Sequence, residues 1–186
     1  MKILVTGSYG QLGRSLFNHL NPNIKIFWTG RNIPLGEEGF HLDILDRINF
    51  KELISLYEPD ILINLAALTN VDFCEKNPVL AREINCKGVE NICDIFKGKI
   101  IQLSTDYVFD GKNGPYFEED VTSPLSVYGN TKLEAEKIIQ SHNSENLIIR
   151  GNVLYDNYKY SEASFLNWVV KSLNKKVSID VVDDQI

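Results

Sequence analysis

Tyr128 and Lys132 stand four residues apart in the run Ser-Val-Tyr-Gly-Asn-Thr-Lys from 126 to 132. Four residues is close to one helical turn, so on a helix both side chains leave the same face. A phenol steadied by an ammonium is a general acid for a carbonyl oxygen on which charge develops. A free tyrosine has a pKa near ~10 and must move by about three pH units to serve at neutrality, roughly 4 kcal/mol. An ammonium ~4 Å away at an effective dielectric of ~20 supplies about that much. Ser104 and Thr105 follow an apolar run, and one of their hydroxyls is placed to donate to the same oxygen.

The other end of the chemistry is a glycine turn. Gly7, Gly10 and Gly13 follow the β-rich run Lys2 to Thr6 in GxxGxxG spacing. The first glycine permits a tight turn, the second lets the backbone approach a pyrophosphate, and the third lets the helix pack on the strand. The helix N-terminus then offers unpaired N–H groups and a positive dipole end to phosphate. A hydride donor beside a proton donor reads as carbonyl reduction with a nicotinamide cofactor. At the end of the second strand, where a ribose-binding acid is expected, the chain has Thr29-Gly30-Arg31. Arg31 either pairs with a 2′-phosphate, which favours NADPH with NADH as the alternative, or is a solvated surface arginine. Asp43 either accepts from an adenine amino group or caps the following helix, a place for which Asp46 competes.

Strand and helix patterns alternate around these groups. Strands are expected at Lys2–Thr6, Ile24–Trp28, a short run before His41, Ile61–Leu65, Lys99–Leu103, Leu147–Arg150 and Val177–Val182. Helices are expected at Gln11–Leu20, Asp46–Tyr57, Pro78–Phe96, Ser126–Ser141 and Phe165–Leu173. Such alternation predicts an α/β fold, a doubly wound and mainly parallel Rossmann-type sheet with helices on both faces. The turn-rich stretch Asp110 to Pro124 reads as a surface loop near the site.

The 186 residues suit one domain, 1–186, with a sizeable core. No apolar run is long enough to span a bilayer, which argues against a membrane protein. A formal net charge of −6 disfavours a nucleic-acid partner. Cys74, Cys86 and Cys93 are scattered without metal-ligand pairing, as expected of reduced thiols in a cytoplasmic protein with no metal centre.

Several segments carry a resemblance: KILVTGSYGQLGRSL, PDILINLAALTNVDFCE, INCKGVENI with Asn85, LSTDYVFDG, PYFEED and SPLSVYGNTKLEAE. They resemble the extended short-chain dehydrogenase/reductase superfamily, and more closely its dTDP-4-dehydrorhamnose reductase family. The resemblance implies Thr105, Tyr128 and Lys132 as the catalytic set. It implies cofactor contacts at Gly7, Gly10, Gln11, Leu12, Gly13, Asp43, Ile44, Ala66, Ala67, Leu68, Thr69, Tyr128 and Lys132, with Thr105, Asp106 and Val153 toward the substrate. The implied reaction is reduction of the 4-keto group of a dTDP-linked 6-deoxysugar toward dTDP-L-rhamnose, for polysaccharide synthesis. A nucleotide-sugar epimerase or epimerase–reductase, and a non-catalytic regulatory subunit, share the same pattern. The family's usual tryptophan after the sixth strand is replaced by Val153 in Arg150-Gly151-Asn152-Val153. The resemblance also implies a C-terminal substrate portion beyond this chain, and a homodimer as the assembly to test for.

Overall fold

The computed structural model describes residues 1–20, 23–143, 145–154 and 165–179. Its strands are β1 (Lys2–Thr6), β2 (Lys25–Gly30), β3 (Phe40–His41), β4 (Ile61–Asn64), β5 (Lys99–Thr105) and β6 (Leu147–Gly151). They form one sheet in the order β3-β2-β1-β4-β5-β6, with every pairing parallel. The strand order reverses between β1 and β4, which opens a crevice at the carboxyl ends of the strands. The expected doubly wound α/β class is the observed one.

The helices are α1 (Gln11–His19), α2 (Arg47–Tyr57), α3 (Val71–Lys76), α4 (Pro78–Arg82), α5 (Gly88–Ile95), α6 (Val127–His142) and α7 (Phe165–Asn174). In the register, Leu4 partners both Phe27 and Leu62, and Leu62 partners Ile100. All four therefore project from one face. They meet Phe50 of α2, Val89 and Ile92 of α5, and Ala135 and Ile139 of α6 in one buried cluster. Each such side chain contributes about 1.5–3 kcal/mol when fully buried. Trp28 has the opposite parity to Phe27, and its ring lies 5.3 Å from that of Phe17 on α1, so α1 covers the other face.

Two expectations need correction, one open choice is decided, and one helix is new. The new helix is α3, in a stretch for which no element was expected. It has an Asn70 cap whose Oδ1 accepts from Phe73 N at 2.8 Å. The long helix expected from Pro78 to Phe96 is interrupted by a π turn, Glu83–Lys87, between α4 and α5. Asp46, not Asp43, caps α2, its Oδ1 accepting from Ile48 N and Asn49 N at 3.1 Å each. The expected last strand is absent over residues 177–179, and its remainder lies outside the described residues.

Candidate active site

A cavity of about 750 Å³ runs along the carboxyl edge of the sheet. That size suits a small-molecule or cofactor site. Its wall takes something from almost every strand end: the glycine turn after β1, Gly30 and Arg31 after β2, Ala66–Thr69 after β4, Thr105 and Asp106 at β5, and Val153 after β6. Of the residues expected at the site, all but Lys132 line it.

The glycine turn is built for close approach. Gly7 has φ +66°, a left-handed conformation that disfavours any side chain. A Cβ there would also stand 2.6 Å from Ala66 N, and one on Gly13 would stand 2.2 Å from Ser8 O. The third glycine thus does set the helix tightly on the strand. Side chains cap α2, α3 and α6 from Asp46, Asn70 and Ser126, whereas Gly10 before α1 supplies no such cap and the first turn of α1 has no acid. The first N–H groups of α1 are therefore left for an anion. The residues present fit a dinucleotide pyrophosphate.

Across the cavity, α6 carries Tyr128 in its first turn. Ser126 Oγ accepts from Gly129 N at 3.0 Å, and Glu75 Oε1 of α3 accepts from Val127 N at 2.6 Å. The unexpected helix α3 thus anchors the start of α6. The Tyr107 ring meets Tyr128 edge-on, with centroids 5.8 Å apart. Burial pushes the Tyr128 phenol above its ordinary value, a hydrogen bond with Thr105 opposes that rise, and Asp106 adds to it. Thr105 and Tyr128 line the same cavity, where the Thr105 hydroxyl donates to Asp106 Oδ1 at 3.0 Å and accepts from Tyr107 N at 3.2 Å. Ser104 is not equivalent: its hydroxyl donates to Glu136 in the interior.

Lys132 departs from expectation. It is 4 % exposed, and its Nζ donates to the Leu103 carbonyl at 2.6 Å. Burial pulls its pKa down to about 8, against the attraction of Glu136. The ammonium therefore does not lower the phenol here; it is turned behind the cavity wall toward β5. One turn on, Glu136 is 1 % exposed and takes two hydrogen bonds from Arg150, at 3.0 Å and 2.7 Å. This buried ion pair joins α6 to β6.

Two contributors were missed in the sequence. Tyr9 lines the cavity and donates its hydroxyl to Glu38 O at 2.9 Å, bracing the loop after β2. Asn85, in the π turn, accepts from Leu68 N at 2.8 Å and donates to Leu68 O and Thr131 Oγ1 at 3.1 Å and 3.0 Å. It holds the segment after β4 against α6. No helix among the described residues is long and apolar enough to cross a membrane, and no cluster of possible metal ligands occurs among them. Cys74, Cys86 and Cys93 are buried and free.

A parallel doubly wound sheet, an uncapped glycine turn and a facing Thr–Tyr pair define a Rossmann-type protein of the short-chain dehydrogenase/reductase class. Over residues 1–186 the chain matches the family described as RmlD substrate binding domain, and it belongs to that family. It is 35% identical to a dTDP-4-dehydrorhamnose reductase of Sinorhizobium fredii, over all of this chain and 60% of the relative. It is 33% identical to methionine adenosyltransferase 2 subunit beta of Xenopus laevis, over 96% of this chain and 55% of that one. A crystal structure of dTDP-4-dehydrorhamnose reductase from Bacillus anthracis in complex with NADP superposes with a TM-score of 0.82. That match has 28% identity and covers 94% of this chain and 60% of that one. The chain spans about 60% of the length of these reductase relatives.

Proposed function

We propose that this chain is the dinucleotide-binding part of an NADPH-dependent reductase acting on the 4-keto group of a nucleotide-linked 6-deoxysugar, with dTDP-4-dehydro-L-rhamnose as the favoured substrate. The observation that carries this reading is one cavity lined both by the uncapped glycine turn and by Thr105 and Tyr128. The reductase relatives and the NADP complex of one of them support it. When bound, the nicotinamide supplies a hydride to the carbonyl carbon. Tyr128 gives its proton to the carbonyl oxygen, and the Thr105 hydroxyl donates a hydrogen bond to the same atom. Gly7, Gly10 and the first turn of α1 hold the phosphates, while Arg31 at the cavity edge favours a 2′-phosphate. Lys132 serves the ribose and the phenol after leaving the Leu103 carbonyl. Val153 gives the sugar end an aliphatic wall where the family's usual residue is aromatic. The three buried free thiols fit a reducing, cytoplasmic setting.

A second reading, a cofactor-binding regulatory subunit, is favoured by the 33% identity to the β-subunit of a methionine adenosyltransferase. The experiment that separates the two is a titration with NADPH and NADH by nicotinamide fluorescence, followed by addition of dTDP-4-dehydro-L-rhamnose. Tighter binding of NADPH and its oxidation on adding the sugar are expected. Binding without oxidation by this chain or by a version extended to the relatives' length would favour the regulatory reading. Binding of neither cofactor would end both.

A further inference from the structure

A line of buried amides has no part in that chemistry. The Thr6 hydroxyl, at the end of β1, donates to Asn64 Oδ1 on β4. Asn64 Nδ2 donates to Gln102 Oε1 on β5 at 2.8 Å, and Gln102 Nε2 donates to the Leu103 carbonyl at 2.9 Å. The Lys132 ammonium donates to that same carbonyl at 2.6 Å. Thr6, Asn64 and Gln102 are each 1 % exposed. Asn64 Oδ1 also accepts from Ala66 N at 3.2 Å, at the start of the segment that lines the cavity after β4.

The register explains the line. Thr6 partners Asn64, and Asn64 partners Gln102, so the three side chains succeed one another across β1, β4 and β5 on a single face. The β4–β5 ladder ends at the Asn64–Gln102 pair, and the next carbonyl, that of Leu103, takes side-chain donors instead. Buried amides cost stability unless every donor and acceptor is paired. Here the line begins one residue before Gly7 and ends at the lysine.

We propose that Gln102 is a positioning residue for Lys132: its amide shares the Leu103 carbonyl with the ammonium and, through Asn64 and Thr6, ties the place of the lysine to the glycine turn. This rests on the reading that Lys132 serves a bound dinucleotide. A carbonyl oxygen has two lone pairs. With Gln102 on one of them, departure of Lys132 toward the cavity leaves no buried acceptor unpaired. Without that second donor, the carbonyl holds the ammonium back, because its release strands a buried acceptor. Gln102 thus makes the lysine available on cofactor binding.

The decisive variant is Gln102→Glu. It keeps an acceptor for Asn64 Nδ2, removes the donor to Leu103, and sets a carboxylate beside the ammonium. The groups facing Lys132 are Glu136 on its own helix, bridged to Arg150 of β6, and the Cys86 thiol of the π turn, which burial pushes up to about 12 and so keeps neutral. Lys132 ionisation is read by nitrogen NMR at Nζ, and NADPH affinity by fluorescence over pH 6.5–9.5. In Gln102→Glu the Lys132 midpoint is expected to rise from about 8 by one pH unit or more, and NADPH binding to weaken about tenfold. Gln102→Met, which removes the donor without adding charge, is expected to do both to a smaller degree, and it decides the matter if Gln102→Glu fails to fold. An unchanged Lys132 midpoint in a folded variant overturns the proposal, whatever happens to affinity. A shifted midpoint with unchanged NADPH affinity also overturns it. If the wild-type chain binds no NADPH, the dinucleotide reading fails and the proposal falls with it, a failure distinct from the other two.

Discussion

The two ends of the cavity are made differently. The cofactor end, around Gly7 to Gly13, is backbone: a left-handed turn, an uncapped helix start and two glycines with no room for a Cβ. The chemical end, around β5 and α6, is side chains held by buried polar partners: Thr105 on Asp106, Lys132 on the Leu103 carbonyl, Ser104 and Arg150 on Glu136. A backbone site is set by where residues are absent in bulk. A side-chain site is set by buried polar networks that must be satisfied together. Damage at the first end should therefore show in binding, and damage at the second in turnover, charge and stability.

The strongest test is Tyr128→Phe. It should lower kcat by about 10²–10⁴-fold and leave the Kd for NADPH nearly unchanged, read by stopped-flow oxidation and by fluorescence. Equal turnover in the variant would remove Tyr128 as the acid and dissolve the contrast. Next in size, Glu136→Ala takes away the carboxylate of Arg150, leaving it the Glu118 carbonyl and the Phe109 ring, and should cost up to about 3–5 kcal/mol in urea unfolding. Arg150→Ala should cost a comparable amount, and the double variant much less than the sum.

Lys132→Met reads the same region through pH. The folded pKa of about 8 lies below the ordinary 10.5, so the folded state releases its proton first. Between these values the unfolded chain binds more protons, and wild-type stability rises with pH. The burial penalty is thus fully present below about pH 8 and fades toward 10.5. Thermal melts should show the variant's advantage over wild type shrinking by up to about 3 kcal/mol from pH 7 to pH 10. A gap that does not change with pH would mean that the lysine is not desolvated. The last test is at the cofactor end. Gly7→Ala forces a side chain into a left-handed turn, at about 1–2 kcal/mol for the turn alone, and against the Ala66 backbone; it should weaken NADPH binding at least about tenfold, with the stability of α6 spared in hydrogen exchange.

The same contrast governs what could be read from the residues alone. The glycine turn was legible because its spacing dictates backbone geometry. The sheet was legible because parallel strands buried on both faces write continuous apolar runs. Tyr128 and Lys132 were correctly placed on one helix, yet spacing says nothing of how far a lysine reaches, and this one ends on the Leu103 carbonyl of β5. Helix α3 is six residues long, too short for periodicity to reveal, and its one sequence signal, a capping Asn70, was not read. The π turn was hidden because helical spacing holds on either side of it. The run from Val177 looked like a strand from its β-branched residues, but nothing in that composition supplies a neighbour to pair with over residues 177–179. Glu136 drew no reading from the sequence, because its partner Arg150 lies 14 residues away and meets it only once β6 joins the sheet.

The π turn at Glu83–Lys87 has a consequence for how this chain tolerates change. Such a turn is an α-helix carrying one residue more than its pitch allows, which rotates the rest of the helix by about 100°. Ahead of it Ala81 is buried, within it Asn85 grips Leu68 and Thr131, and after it Val89 and Ile92 join the core. All of these directions hold only with the surplus residue in place. Loss of a single codon here would re-phase the helix and turn either Asn85 or the α5 core face outward. Between Pro78 and Phe96 a substitution at an exposed position leaves these directions intact, whereas an insertion or deletion of one residue does not.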